Sequence, residues 1–265
     1  MWDTYTEITL RLEGKAAVIT LNRPQVGNAF SLESYTQITS AVEELARDER
    51  VGAIVLTGAG KHFSAGGDIN RFKMLIETKA YLDPRNVAAA GRMAATVRRC
   101  PKPVIAMVNG VAAGAGCSLA LACDFRVVSP KSKFVMAFIN MGLSGDTGGM
   151  YYLQKLVGTG RTVEMMMTGE PVAGEEAVRI GLASRLAPSP EELEACTMEL
   201  AQKLAAKPLF AIGRQKQLMN ETFYADLEAY TEHEVDYMTA CSRSCDFAEA
   251  VYAFLEKRTP SFIGK

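Results

Sequence analysis

No stretch of this 265-residue chain stays apolar for the ~20 residues that a membrane-spanning helix needs, and residues 1–5 do not open a secretory signal core. An excess of one charge is missing too: 29 basic side chains stand against 30 acidic ones, a net charge of −1. That balance gives no sign of a nucleic-acid partner held by bulk charge. The six cysteines, Cys100, Cys117, Cys123, Cys196, Cys241 and Cys245, lack metal-finger spacing. Several lie in apolar helical stretches, so buried inert thiols in a reducing cytoplasm are expected. No low-complexity linker divides the chain. With 48% hydrophobic and 22% charged residues, the composition is that of a globular protein with ample core.

What is present is an alternation of short strands and helices. Residues 7–12 alternate, Gly14-Lys15 turns, and residues 17–21 follow, so the chain opens as a hairpin. Ser31 caps a helix to about Arg47, with an incomplete capping box because Ser34 stands where Glu or Gln is usual. A strand at 53–57 precedes a helical stretch from Ile69 to Arg99, interrupted near Asp83-Pro84. Strands at 103–108 and 125–128 continue the alternation, which favours an α/β architecture. From about Pro190 the pattern is helical only, at 191–206, 208–220, 224–240 and 244–257.

Two strand-to-helix junctions stand out. In one, the strand at 103–108 runs through Gly110 into Gly114-Ala-Gly-Cys-Ser118 and a small-residue helix. In the other, the strand at 53–57 runs into Gly58-Ala-Gly-Lys-His-Phe-Ser-Ala-Gly-Gly-Asp68. Free N–H groups at such helix starts, reinforced by the helix dipole, favour negative charge. Two of them aimed at one point can hold a developing oxyanion, which suits thioester chemistry.

Taken in order, Asn22-Arg-Pro, Asn28-Ala-Phe-Ser, Phe63-Ser-Ala-Gly-Gly-Asp-Ile, the run 102–116, Cys123-Asp124 and the closing Phe254-Leu-Glu-Lys-Arg-Thr-Pro resemble the crotonase (enoyl-CoA hydratase/isomerase) superfamily. The resemblance spans nearly the whole chain. It implies an α/β spiral of β–β–α turns over residues 1–190 and a helical tail over 191–265 that builds homotrimers or dimers of trimers. It also implies an acyl-CoA thioester substrate, with no metal and no cofactor beyond the CoA of the substrate itself. By the same likeness, the Gly67 and Ala115 N–H groups form the oxyanion hole, Ala65, Asp68, Ile69 and Gly114 lie against substrate, and Lys257 approaches the CoA phosphates, often from a neighbouring subunit.

The chain departs from the family where hydratases carry two glutamates. One position is Ser118 and the other Phe138, both placed against substrate by the resemblance. Serine has no useful basicity at neutral pH and phenylalanine cannot hold a water, so hydration by the usual two-carboxylate arrangement is not expected. Asp146, in Leu143-Ser-Gly-Asp-Thr-Gly-Gly149, falls where some family isomerases and aspartate-dependent dehalogenases place their single carboxylate. Taken alone, it reads first as the cap of a helix at 148–157, with the dipole keeping it ionised; the family position and the loss of both glutamates bring catalysis level with the cap.

The leading expectation is therefore an isomerase that moves a proton with Asp146, in an apolar pocket walled by Met136 and Phe138. Covalent attack by Asp146, an atypical hydratase and a non-catalytic acyl-CoA-binding protein are the alternatives. His62 is expected on a solvent-facing loop, His233 at the surface, and Met165-Met-Met167 in the core. One of Tyr151 and Tyr152 is a candidate for the acyl pocket, and residues 70–95 are expected to shape it.

Overall fold

The computed structural model describes residues 5–265; residues 1–4 of the N-terminal stretch considered above lie outside the described residues. The chain opens with the expected hairpin, β1 (Ile8–Glu13) antiparallel to β2 (Ala16–Leu21), with Gly14 at positive φ in the turn. The helix α1 (Leu32–Arg47) starts at Ser31, whose side chain accepts from the Ser34 N–H at 3.1 Å. The capping box is in fact complete: Ser34 Oγ accepts from the Ser31 N–H at 3.0 Å. Glu7 accepts from both hydroxyls and fixes them, so serine does here what glutamate usually does.

After β3 (Ala53–Gly58), the helical stretch divides into α2 (Ile69–Glu77) and α3 (Pro84–Arg99). Asp83 caps α3 and Pro84 occupies its first turn, a fitting place for a residue without an N–H. Next come β4 (Val104–Val108), β5 (Val111–Ala113), α4 (Ala115–Ala122), β6 (Phe125–Val128), β7 (Lys133–Val135), α5 (Gly149–Thr168), β8 (Val172–Ala173), α6 (Gly174–Arg179) and β9 (Arg185–Leu186). The tail contributes α7 (Leu193–Ala205), α8 (Leu209–Thr222), α9 (Leu227–Cys241) and α10 (Cys245–Glu256), close to the four helices read from periodicity.

The strands form a six-stranded sheet, ordered β1-β2-β3-β4-β6-β9, and a three-stranded sheet, β5-β7-β8. β4 enters the large sheet, β5 the small one, and α4 follows; β6, β7 and α5 repeat the pattern. These are the β–β–α turns of a spiral. The central strands are apolar throughout because both faces of the large sheet are covered. Ile54, Leu56, Val104 and Ala106 pack into the main core, whereas Val18, Val55, Ile105 and Val127 pack against Leu193, Met198 and Ala201 of α7. The helix expected at 148–157 runs on to Thr168, kinked at Gly158 where φ is 77°. Of the methionine run, Met165 is buried but Met167 is 71% exposed, since residues two apart lie on opposite sides of a helix.

Cys100, Cys117 and Cys123 are buried and Cys245 is exposed. Burial pushes the Cys117 and Cys123 thiols up to about 12, which makes both inert at neutral pH. Among the described residues no helix is long and apolar enough to cross a membrane.

One polar cluster ties tail to core. Asp124, between α4 and β6, accepts from Lys216 Nζ of α8 at 2.6 Å and from the Val104 N–H at 2.8 Å, and it also pairs with Arg98. Lys216 further donates to the Lys102 carbonyl at 2.9 Å. Arg98 and Lys216 are buried, so removing their shared anion leaves two cations uncompensated. Asp124→Ala is expected to cost ~3–5 kcal/mol of stability, measured by denaturant unfolding; a loss below ~1 kcal/mol would mean that the cluster does not hold the tail.

Candidate active site

The two glycine-rich junctions meet backbone to backbone. Ser64 and Ala112 form a parallel bridge, with the Ser64 N–H donating to Val111 and the Ala113 N–H donating to Ser64. Gly66 has φ 86°, and a Cβ there would lie 2.6 Å from the Ala113 carbonyl oxygen and 3.3 Å from the Ala115 nitrogen. Gly116 is required for the same reason, since its Cβ would come within 2.6 Å of Ser64. Sequence alone reads these glycines as turn formers; at Gly116 close approach is what excludes a side chain. Behind the contact, the Asn28 side-chain amide donates to Ala59 and His62 at 2.9 and 2.8 Å, and Ser64 Oγ donates to Asn28 at 2.8 Å. The Asn22-Arg-Pro…Asn28 motif thus positions the loop from the rear.

Neither the Gly67 nor the Ala115 N–H meets an acceptor among the described residues, as the first turn of a helix leads one to expect for Ala115. A cavity of about 640 Å³ opens in front of them. Of the residues singled out above, Ala65, Gly67, Asp68, Ile69, Gly114, Ala115, Phe138 and Asp146 line it. Asp68 caps α2 through the Asn70 N–H at 3.0 Å and pairs with Arg23 at 3.2 Å, which leaves it little freedom for chemistry.

Several expectations need correction. Ser118 is fully buried outside the cavity wall, its hydroxyl shared between the carbonyls of Gly114 at 3.2 Å and Asp146 at 3.3 Å. It braces the site from behind and cannot touch a substrate. Lys257 needs no such correction: it is exposed at the left-handed end of α10, as the implied approach from a neighbouring subunit requires, and Phe254, one turn earlier, lines the cavity of its own chain. Met136 is buried off the wall and Phe138 alone faces inward. Tyr151 and Tyr152 do not line the cavity either; the Tyr151 hydroxyl donates to Asp226. His62 is not solvent-facing: it is half-buried and lines the cavity, with Nδ1 unpartnered among the described residues. His233 is exposed, as read.

From the stretch 70–95, Phe72, Leu82 and Val87 line the cavity. Sequence reasoning missed Phe30, Tyr35, Leu143 and Met238. The Phe30–Tyr35 spacing, the residue before a cap and the fourth helical position, carried a readable signal for the first two. Met238, from α9, had none.

Asp146 does not cap α5. The helix begins at Gly148-Gly149, and the Gly148 N–H donates instead to Glu234 Oε2 of α9 at 2.8 Å. The loop before it holds three left-handed residues, Gly145, Thr147 and Gly148. Thr147, with φ 63°, is β-branched, and strain of that kind concentrates at functional sites. Its hydroxyl donates to Asp146 Oδ1 at 2.7 Å, and no bond within the described chain engages Oδ2. Asp146 is only 7% exposed. Desolvation pushes its carboxyl from 3.8 up to about 6, the Thr147 bond opposing the rise. Burial, with the nearby charge of Asp146, pushes Glu234 up to about 8. A carboxylate that is ionised at neutral pH yet poorly solvated is a competent base.

The raised value has a thermodynamic consequence. Folding favours the protonated Asp146, so stability falls as pH rises from 3.8 through about 6 and then levels off. The difference is on the order of 3 kcal/mol. Asp146→Asn removes the buried charge, so the variant is expected to be the more stable at pH 8. Its advantage should shrink as pH falls through 6 toward 4. Unfolding curves at three pH values check this, and a pH-independent difference would refute the raised pKa.

Comparison with known proteins places this geometry. The family model described as Enoyl-CoA hydratase/isomerase matches residues 11–265. The chain is 36% identical to 1,2-epoxyphenylacetyl-CoA isomerase of Escherichia coli, over 97% of this chain and 98% of the relative. It is 32% identical to trans-2-decenoyl-(acyl-carrier-protein) isomerase of Streptococcus mutans, over 98% and 99%. The crystal structure of an enoyl-CoA hydratase from Mycobacterium avium subsp. paratuberculosis superposes with a TM-score of 0.88 at 29% identity, covering 97% of this chain and 99% of that one. A family match over almost the entire chain, on a fold and a pair of junctions of this kind, makes the protein a member of the enoyl-CoA hydratase/isomerase family of acyl-CoA enzymes.

Proposed function

We propose that this enzyme is a double-bond isomerase of acyl-CoA thioesters, working without a cofactor and using Asp146 to carry the proton. The observation that supports this most directly is the contrast between the carboxylates on the cavity wall. Asp68 is spent on a cap and an ion pair, whereas Asp146 has a free oxygen and a raised pKa. The two positions where family hydratases carry glutamates add to it. Ser118 lies behind the wall and Phe138 is apolar, so no second carboxylate is available there to hold a water.

In this reading the thioester oxygen sits between the Gly67 and Ala115 N–H groups, which stabilise the charge that develops on it. Asp146 removes a proton from the γ-carbon of an α,β-unsaturated acyl group, and the electron pair delocalises onto the thioester oxygen as a dienolate. The same carboxyl then returns its proton at the α-carbon. One double bond has moved, the carboxylate is regenerated, and no redox step or external nucleophile is required. The apolar surroundings, Phe30, Leu143 and Phe138 among them, keep water from the intermediate. Assembly as a homotrimer or a dimer of trimers belongs to the same proposal, supported by the exposed Phe210, Leu218 and Phe223 on and beside α8. Similarity to a relative named trans-2-decenoyl-(acyl-carrier-protein) isomerase supports the same reading.

Asp146→Asn should lower turnover on an enoyl-CoA by about a hundredfold or more while thioester affinity stays similar. A γ-deuterated enoyl-CoA turned over by the wild type in ordinary water should carry part of its deuterium to the α-carbon, with no covalent adduct detectable by mass. An adduct on Asp146 would replace proton transfer by nucleophilic attack; full activity of Asp146→Asn rejects both. Gly67→Pro, which deletes one N–H donor, should lose ~10²–10³ in turnover while the folded variant still binds CoA. Normal turnover in that variant removes the backbone oxyanion site.

A further inference from the structure

Tyr35 is the one tyrosine among the described residues of the cavity wall, and its hydroxyl meets no hydrogen-bond partner among them. The residue is only 6% exposed. Its place is set by local geometry: Ser31 caps α1, and Phe30 just before the cap packs on Tyr35 at the fourth helical position, ring centroids 5.6 Å apart. That hydrophobic staple needs a ring or a branched chain, not a phenol. The hydroxyl is surplus to the fold. It is open to the cavity, where it is free to donate to what enters.

The charges around it fix its state. Burial and the charge of Asp146 both raise the Tyr35 pKa, and Arg71 of α2 lowers it less, so the phenol stays a donor across the working pH range. Arg71 also lines the cavity and makes no ion pair or hydrogen bond among the described residues. A protonated phenol and a guanidinium, whose charge also acts on Asp83, thus address the same space from two helices, and both can donate to an acceptor there.

We propose that Tyr35 is a specificity-determining residue, whose hydroxyl, beside Arg71, receives a hydrogen-bond acceptor oxygen carried on the acyl group of the substrate. The preferred thioesters are accordingly oxygen-bearing acyl-CoAs rather than plain hydrocarbon ones. This rests on the reading that the cavity takes an acyl-CoA. It goes beyond it in stating what the acyl chain contains. The oxygen is either neutral, a ketone or ether, or part of a carboxylate; Tyr35 serves both, and Arg71 adds strength mainly for the anion.

Calorimetric binding of three saturated thioesters of equal chain length tests this without any reactive double bond: a plain acyl-CoA, a keto-acyl-CoA and an acyl-CoA ending in a carboxylate. Wild type is expected to bind at least one oxygen-bearing ligand about tenfold more tightly than the plain one. Tyr35→Phe, which keeps the staple, should bring that ratio close to one. If the carboxylate is the preferred ligand, Arg71→Gln should reduce its advantage as well; if the ketone is, Arg71→Gln should leave the ratio largely in place. Equal binding of all three by wild type, or a preference that survives Tyr35→Phe, overturns the proposal while the acyl-CoA reading stands. Failure of all three to bind overturns both.

Discussion

Everything at this site depends on one close approach of backbone to backbone, where the loop after β3 lies against the strand-to-helix turn of α4. Only a residue without a Cβ allows it. At Gly66 the Ala113 carbonyl would be struck at 2.6 Å, and at Gly116 the Ser64 side chain would. Because the segments touch, two N–H groups from distant parts of the chain border one cavity with no side chain between them. Backbone donors cannot rotate away, and a preorganised dipole costs no reorganisation during reaction. The remaining features, Asn28 behind the loop and Ser118 under the turn, hold that contact in register.

The second constraint is electrostatic and works against stability. Asp146 sits in a place that penalises its charge, and Glu234, itself buried, meets the Gly148 N–H at the start of α5 in its stead. Dividing the tasks this way leaves one oxygen of Asp146 free. Had Asp146 capped α5, the helix N–H groups would have lowered its pKa and weakened it as a base. The Thr147 hydroxyl works against desolvation, since its bond to Oδ1 moderates the rise while leaving Oδ2 free.

What could be read from the sequence follows from how local each feature is. The two junctions were legible because glycine spacing and an apolar strand lie within about a dozen residues of one another, and the hairpin, the Asp83-Pro84 break and the tail helices are equally local. The capping box was misread because Glu7, which holds both serines in place, is far away in sequence. The cap reading of Asp146 could not be set aside from sequence for the same reason: the Gly148 N–H is met by Glu234, 86 residues after Gly148. Met136 and Phe138 differ only in which side of one short segment they face, and no periodicity settles that at the end of a three-residue strand. Tyr35 lay within reach through its staple spacing, but its free hydroxyl appears only once the cavity is formed.

The two departures from the hydratase pattern act together rather than as separate losses. Serine at 118 is small enough to sit beneath Gly149, where a Cβ would come within 2.2 Å of its oxygen, and its hydroxyl spans the carbonyls of Gly114 and Asp146. A glutamate could not occupy that space without moving α5. Phe138 lies near Gly114 on one side and Gly145 on the other, so its ring forms part of the wall between the backbone donors and Asp146. Replacing a water-binding carboxylate by that ring removes solvent and a second negative charge at one stroke. Both changes matter for Asp146: the first raises its pKa, and the second keeps that rise from becoming large enough to hold it protonated at neutral pH. A hydratase site needs water held by two acids, whereas a proton shuttle needs one base in a dry place, and the serine and the phenylalanine suit the proposed shuttle better.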